Sequence, residues 1–88
     1  MTYELEFSKN ALKKFDKLNP QIAEQFIRKL EAILENPKIP KNKLSGSIDL
    51  YKIKLRSAGY RLVYKVKDDV VVVLVLDVDR RDSIYKSL

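Results

Sequence analysis

The stretch Leu50-Tyr-Lys-Ile-Lys-Leu-Arg-Ser-Ala-Gly-Tyr-Arg-Leu-Val-Tyr64 decides how this chain folds. Tyr51, Ile53 and Leu55 alternate with Lys52, Lys54 and Arg56. A strand turns successive side chains to opposite faces, so the segment carries one apolar face and one row of cations. Like charges in a row repel, a cost that a polyanion laid over them removes. The strand therefore reads as a phosphate-facing surface. Ser57-Ala58-Gly59 marks a turn, and the chain returns through Tyr60 to Val66. Directly opposed residues of an antiparallel pair share a face. With Arg56 opposite Arg61, the apolar face gathers Tyr51, Ile53, Leu55, Leu62, Tyr64 and Val66, and the other gathers Lys52, Lys54, Arg56, Arg61 and Lys65. A slip of one residue would carry charge into the core.

Outward from this hairpin, the pattern predicts one small α+β domain. Thr2 to Phe7 alternates Tyr3, Leu5 and Phe7 against Thr2, Glu4 and Glu6, as a half-buried strand does. Ser8 is placed to cap a helix carrying Ala11, Leu12, Phe15 and Leu18. Asn19-Pro20 offers a second cap followed by proline at the first helical position, where its missing N–H costs nothing. That second helix aligns Ile22, Ala23, Phe26, Leu30, Ile33 and Leu34 and ends near Asn36-Pro37. The two form a helical hairpin. A basic loop with Lys38, Lys41 and Lys43 leads to strands near 50–56, 60–67 and 70–78, a three-stranded antiparallel meander with Lys67-Asp68-Asp69 as its second turn. Val70 to Leu76 lacks alternation, which implies burial on both faces and a central place in the sheet. From Asp79 the chain leaves the last strand and begins a short C-terminal helix. The expected architecture is an antiparallel sheet packed on the helical hairpin, one domain over residues 1–88.

Composition narrows the chemistry. A formal charge of +6 favours an acidic partner, either nucleic acid or an acidic protein. There is no cysteine, hence no disulfide framework and no thiolate nucleophile. There is no histidine either, so any catalysis falls to Lys, Arg, Tyr, Asp or Glu. The opening Met-Thr-Tyr-Glu-Leu-Glu-Phe is unlike a signal peptide, and Val70 to Leu76 is too short to span a membrane. A cytoplasmic protein with no membrane association is expected.

The order of elements resembles the RelE/ParE superfamily of toxin–antitoxin toxins over almost the whole chain, nearest to its RelE branch. The residues that carry the likeness are Asn42-Lys43-Leu44, the Tyr51 to Ser57 run, Gly59-Tyr60-Arg61-Leu62-Val63-Tyr64, and Arg80-Arg81 followed by Tyr85. The resemblance implies an endoribonuclease that enters the ribosomal A site and cleaves mRNA there without a metal or other cofactor. The 2′-hydroxyl attacks the adjacent phosphate, leaving a 2′,3′-cyclic phosphate and a 5′-hydroxyl. It also implies as partners the 70S ribosome with its mRNA and 16S rRNA, and an acidic RelB-like antitoxin through which the pair represses its own operator DNA. The matching catalytic positions are Lys52, Lys54, Arg61, Arg81 and Tyr85. Lys52 is the implied general base and Arg81 the implied donor to the leaving oxygen. Lys54 and Arg61 hold and neutralise the phosphate, and Tyr85 stacks on or orients a base. Lys43, Arg56, Lys65 and Arg80 are the implied RNA-binding cations.

The residue chemistry agrees in part. Phosphoryl transfer needs fixed positive charge where negative charge develops, which Lys54 and Arg61 supply. A lysine base must lose its proton near neutrality although its reference pKa is about 10.4, and neighbouring cations favour that loss. Arginine is a poor proton donor, so charge stabilisation is the firmer role for Arg81. The chain departs from the family pattern at Ser45, where the RelE branch has arginine before the loop glycine. It departs again at Asp77 and Asp79, where the family often has glycine before the basic pair. These carboxylates add negative charge beside the cations, or pair with Arg80. Tyr85 lies closer to Arg81 than the corresponding tyrosine does.

Plainer readings stand beside these. Lys52, Lys54 and Arg56 also suit the solvated face of an edge strand, where lysines discourage aggregation. Lys65 and Arg56 read better as positioning or surface charges than as catalytic groups. Tyr51, Tyr60 and Tyr64 read as core, and Tyr85 divides between a functional ring and a terminal anchor. Lys9, Lys13, Lys14, Lys17, Arg28 and Lys29 read as a solvated helix face or as contacts to rRNA phosphates. Asp77, Asp79 and Asp82 read as caps or partners of Arg80 and Arg81 rather than as a metal site. The same fold suits a ParE-like protein that inhibits DNA gyrase by binding, or an inactive RNA-binding remnant. The cluster of Lys52, Lys54, Arg61 and Arg81 separates a nuclease from these.

Overall fold

A computed structural model describes residues 2–44, 46, 49–55 and 58–80. The elements run β1 (Glu4–Phe7), α1 (Lys9–Asp16), α2 (Pro20–Ile33), a 3-10 turn (Pro40–Asn42), β2 (Leu50–Leu55), β3 (Tyr60–Lys67) and β4 (Val72–Arg80). Both helix starts follow the sequence. Ser8 Oγ accepts the Ala11 N–H at 3.1 Å, and Asn19 Oδ1 accepts the Gln21 N–H at 2.9 Å, each relieving an orphan donor of a first turn. Among the described residues no helix is long and apolar enough to cross a membrane. The expected C-terminal helix lies outside the described residues.

The four strands lie in the order β1-β4-β3-β2. β4 is internal, as its run of valines implies, and β2, β3 and β4 form the antiparallel meander. The sheet as a whole is mixed rather than antiparallel, because β1 joins β4 in parallel, with Glu4 opposite Val72 and Phe7 opposite Val75. Parallel neighbours need a long crossover, which the two helices and the β2–β3 hairpin supply. β4 begins at Val72 rather than near residue 70. Val71 takes a left-handed backbone (φ 56°) that closes the turn, its N–H donating to the Asp68 carbonyl at 3.3 Å. The strand then runs on through Asp79 and Arg80.

One face of the sheet packs on the helices. Tyr51, Ile53, Leu55, Leu62, Tyr64, Val66, Val73, Val75 and Val78 meet Ala11, Phe26 and Leu30 there. A fully buried Phe26 contributes about 2–3 kcal/mol by removal from water. Ala11, Phe15 and Leu18 share the inward stripe of this region. Leu12 was expected on that stripe, but it lies a quarter-turn off it and is 49% exposed. Tyr51 and Tyr64 stack within the core at 5.5 Å, and the Tyr64 hydroxyl donates to the Pro37 carbonyl at 2.7 Å. Asp68 receives the Tyr3 hydroxyl at 2.6 Å and the ammonium of Lys38, tying the β3–β4 turn to the first strand and to the loop after α2.

A bulge sets the faces of β4. Val63 opposes Asp77 and Tyr64 opposes Val75, so Leu76 is the extra residue. Before it Val73 and Val75 point into the core, and after it Val78 does. Without the bulge, strict alternation would aim Asp77 and Asp79 at the helices. The chain leaves β1 at the same level. The Ser8 N–H donates to the Val75 carbonyl at 2.9 Å and Ser8 Oγ to the Leu76 carbonyl at 3.1 Å, so α1 continues along the edge of β4 where β1 stops.

Candidate nucleic-acid interface

The face turned away from the core carries the charged groups. Its rows follow from register: Lys54 opposes Arg61, which opposes Asp79, and Lys52 opposes Val63, which opposes Asp77. The division of residues between faces is the one read from the sequence, but the partners differ by two. Arg61 faces Lys54, not Arg56. Gly59 takes φ 69° at the end of the loop, so Tyr60 is the residue that resumes pairing, opposite Leu55.

Lys52, Lys54, Arg61 and Lys65 share this face and are half-buried. Lys43 sits beyond the edge of β2, bridged to Tyr51 and exposed. Arg80 opposes Tyr60, the partner of Leu55, so its register belongs to the helix-packed face, where it is exposed at the strand's end. The structure thus brings Lys52, Lys54, Arg61 and Lys65 together and sets Arg80 apart. Arg56, Arg81, Tyr85 and Ser45 lie outside the described residues. A concavity of about 480 Å³ between α2, the 3-10 turn and β2 extends the basic region, with Lys29, Lys41 and Lys54 around Ile33 and Ile53.

The open face is not uniformly basic. Its β2–β3 half is cationic, while β4 presents Asp77 and Asp79 and β1 presents Glu4 and Glu6. The two aspartates are held from the side by α1. Lys14 Nζ lies 2.9 Å from Asp77 Oδ1 and 3.1 Å from Asp79 Oδ2. Asn10 Nδ2 donates to Asp77 Oδ1 at 3.4 Å, and the Val78 N–H donates to the same oxygen at 2.9 Å. The Asp77 side chain is only 6% exposed. Asp79 was expected to pair with a neighbouring arginine side chain. Among the described residues its bonds are to Lys14 and, at 2.7 Å, to the Arg80 backbone N–H, while Arg81 lies outside them.

The Asp77 carboxylate raises the pKa of Lys14 against desolvation, with Asp79 adding to it. Desolvation pushes Asp79 up, but the Arg80 N–H and Lys14 outweigh it and hold the carboxyl below its ordinary value. Lys14 is therefore a partner of the face, not a solvated bystander. The signal was present in the i, i+4 spacing of Asn10 and Lys14, which sets both on one side of α1. What the sequence lacked was the pairing that brings that side to β4.

Comparison with known proteins gives this arrangement a context. The mRNA interferase toxin RelE of Escherichia coli is 52% identical over 82 residues, covering 93% of this chain and 86% of that protein. A free RelE of E. coli carrying two arginine-to-alanine substitutions superposes with a TM-score of 0.91 at 49% identity, covering 97% of this chain and 90% of the other. RelE from the intact E. coli RelBE toxin–antitoxin complex gives 0.86 at 52% identity, over 89% of this chain and 95% of that one. Residues 5–85 match the family model of the ParE toxin of type II toxin–antitoxin systems. With a backbone that superposes closely on RelE and about half of its residues shared across nearly its full length, the chain belongs to the RelE/ParE family of type II toxins.

Proposed function

We propose that the chain is a ribosome-dependent endoribonuclease that cleaves mRNA in the A site and so arrests translation. The observation that carries this reading is the gathering of Lys52, Lys54 and Arg61 on one face by the β2–β3 register, in a chain half identical to an mRNA interferase. The protein's own side chains supply the chemistry. Lys52 takes the proton from the 2′-hydroxyl, whose oxygen attacks the adjacent phosphorus. Lys54 and Arg61 hold the non-bridging oxygens, where charge builds in the transition state. The 5′-oxygen leaves as Arg81 offsets its charge, and that oxygen takes a proton from solvent water, giving a 2′,3′-cyclic phosphate and a 5′-hydroxyl. Tyr85 orients a neighbouring base. Lys43, Lys65, Arg56 and Arg80 bind the surrounding RNA backbone.

The ribosome is the substrate's carrier, so the protein works in the cytoplasm. A RelB-like antitoxin is its partner, as RelB is for RelE in the related complex. An acidic antitoxin segment covers the cationic half of the sheet, and the complex reaches operator DNA through the antitoxin.

Primer extension on a defined mRNA in programmed 70S ribosomes tests this. Discrete A-site cuts, absent without ribosomes and lost in Lys52→Ala or Arg81→Ala, are expected, with antitoxin binding kept in both variants. An intact message, together with inhibited supercoiling by gyrase, would replace this reading with a ParE-like one, to which the matched family model also lends its name.

A further inference from the structure

The two aspartates on the open face pose an electrostatic problem for a phosphate-binding surface. Asp79 is the cross-strand partner of Arg61, and Asp77 lies on the row of Lys52. Strands are spaced about 4.8 Å apart, so each carboxylate stands roughly 10 Å from the lysine at the far end of its row. That is near the Debye length in physiological salt, and across a protein surface such a charge is only partly screened. Uncompensated, the pair would repel the phosphate and would make any proton-accepting group on this face hold its proton more tightly. Among the described residues, the charges on the face of Lys52 are Lys54 on its own strand, Arg61, Lys65 and Lys67 on β3, Asp77 and Asp79 on β4, and Glu4 and Glu6 on β1. Lys43 lies beyond the β2 edge.

Lys14 enters this set from α1. Its single ammonium is shared by both carboxylates, is 34% exposed, and is carried by a helix that Ser8 fastens to the bulge of β4. We infer that Lys14 is a positioning residue of the RNA-cleaving face, cancelling and immobilising the charge of Asp77 and Asp79 so that the phosphate on Lys52, Lys54 and Arg61 meets a positive field. The inference rests on the interferase reading above. It concerns a residue that touches neither the phosphate nor the reacting oxygen.

The test compares wild type, Lys14→Met, Lys14→Arg and the triple variant Lys14→Met/Asp77→Asn/Asp79→Asn in the programmed-ribosome assay from pH 6 to 9, with thermal melts alongside. Lys14→Met should cut roughly tenfold more slowly, the size expected of two partly screened carboxylates at this separation. The acidic limb of its pH profile should move up. Lys14→Arg should behave as wild type. The triple variant should regain both rate and pH profile, although it lacks the ion pairs. A wild-type rate and profile in Lys14→Met overturns the inference alone. So does a triple variant that stays slow, or a loss of rate that follows melting temperature with the pH limb unmoved. A wild type that leaves the message intact overturns the interferase reading, and this inference with it.

Discussion

Lys54 and Arg61 face each other across two strands, so a phosphate seated between them meets two fixed charges at once. Truncating either should lower the single-turnover rate of A-site cleavage by about 10²- to 10³-fold, the usual cost of one transition-state donor. Ribosome binding should change far less, because other cations share that task. Lys14 and Asp79 give a pH prediction whose sign follows from their shifts. Asp79 is lowered in the folded state, so its stabilisation is present above its unfolded pKa of about 3.9 and fades as pH falls through its native value. Lys14 is raised, so its share is present below about 10.4 and fades as pH climbs through its native value. Melting temperatures of wild type and Lys14→Met should therefore differ most between about pH 5 and 9 and converge below about pH 3. The cations of this site were legible from alternation alone. Lys14 was legible only as sharing one side of α1 with Asn10, since nothing local marks the strand to which that side is brought.

At the scale of elements, Ser8 joins the first helix to the last described strand. It caps α1 through the Ala11 N–H and binds the bulged strand through the Leu76 carbonyl. Ser8→Ala should cost about 1–2 kcal/mol in urea unfolding, from the lost cap and the stranded carbonyl, with an unchanged denaturant slope. Caps, helices and the hairpin were readable because their signals are local: Ser8, Asn19-Pro20, the stripe of Phe26 and Leu30, and Gly59. The parallel docking of β1 on β4 was not, because its partners are 68 residues apart in the case of Glu4 and Val72 and share no turn. The bulge had left a trace, since the core positions Val73 and Val75 give way to Val78, a change of parity with aspartates on either side. The hairpin register was read correctly for its faces and two residues off for its partners. Face is set by hydrophobicity along the strand, whereas partner is set by the loop conformation.

Over the whole molecule, a charge of +6 is spread unevenly, with the cations of the open face on its β2–β3 half and carboxylates toward β1. Affinity for ribosomal RNA should fall steeply with salt, and Lys43→Ala or Lys65→Ala should each reduce the slope of log affinity against log salt by about 0.7–1, with A-site cutting retained at low salt. Gyrase, acidic antitoxin and RNA all suit a basic face, so charge alone could not choose among them, and neither could the shared fold. The pairing of β1 with β4 has a consequence for the life of the molecule. Among the described residues the first strand pairs only with the last, and the helices rest on the sheet that results. A nascent chain lacking residues 72–80 has no centre to its sheet and no acceptor for Ser8. A chain that stops before residue 72 should therefore neither fold cooperatively nor arrest translation, since its first strand has nothing to pair with.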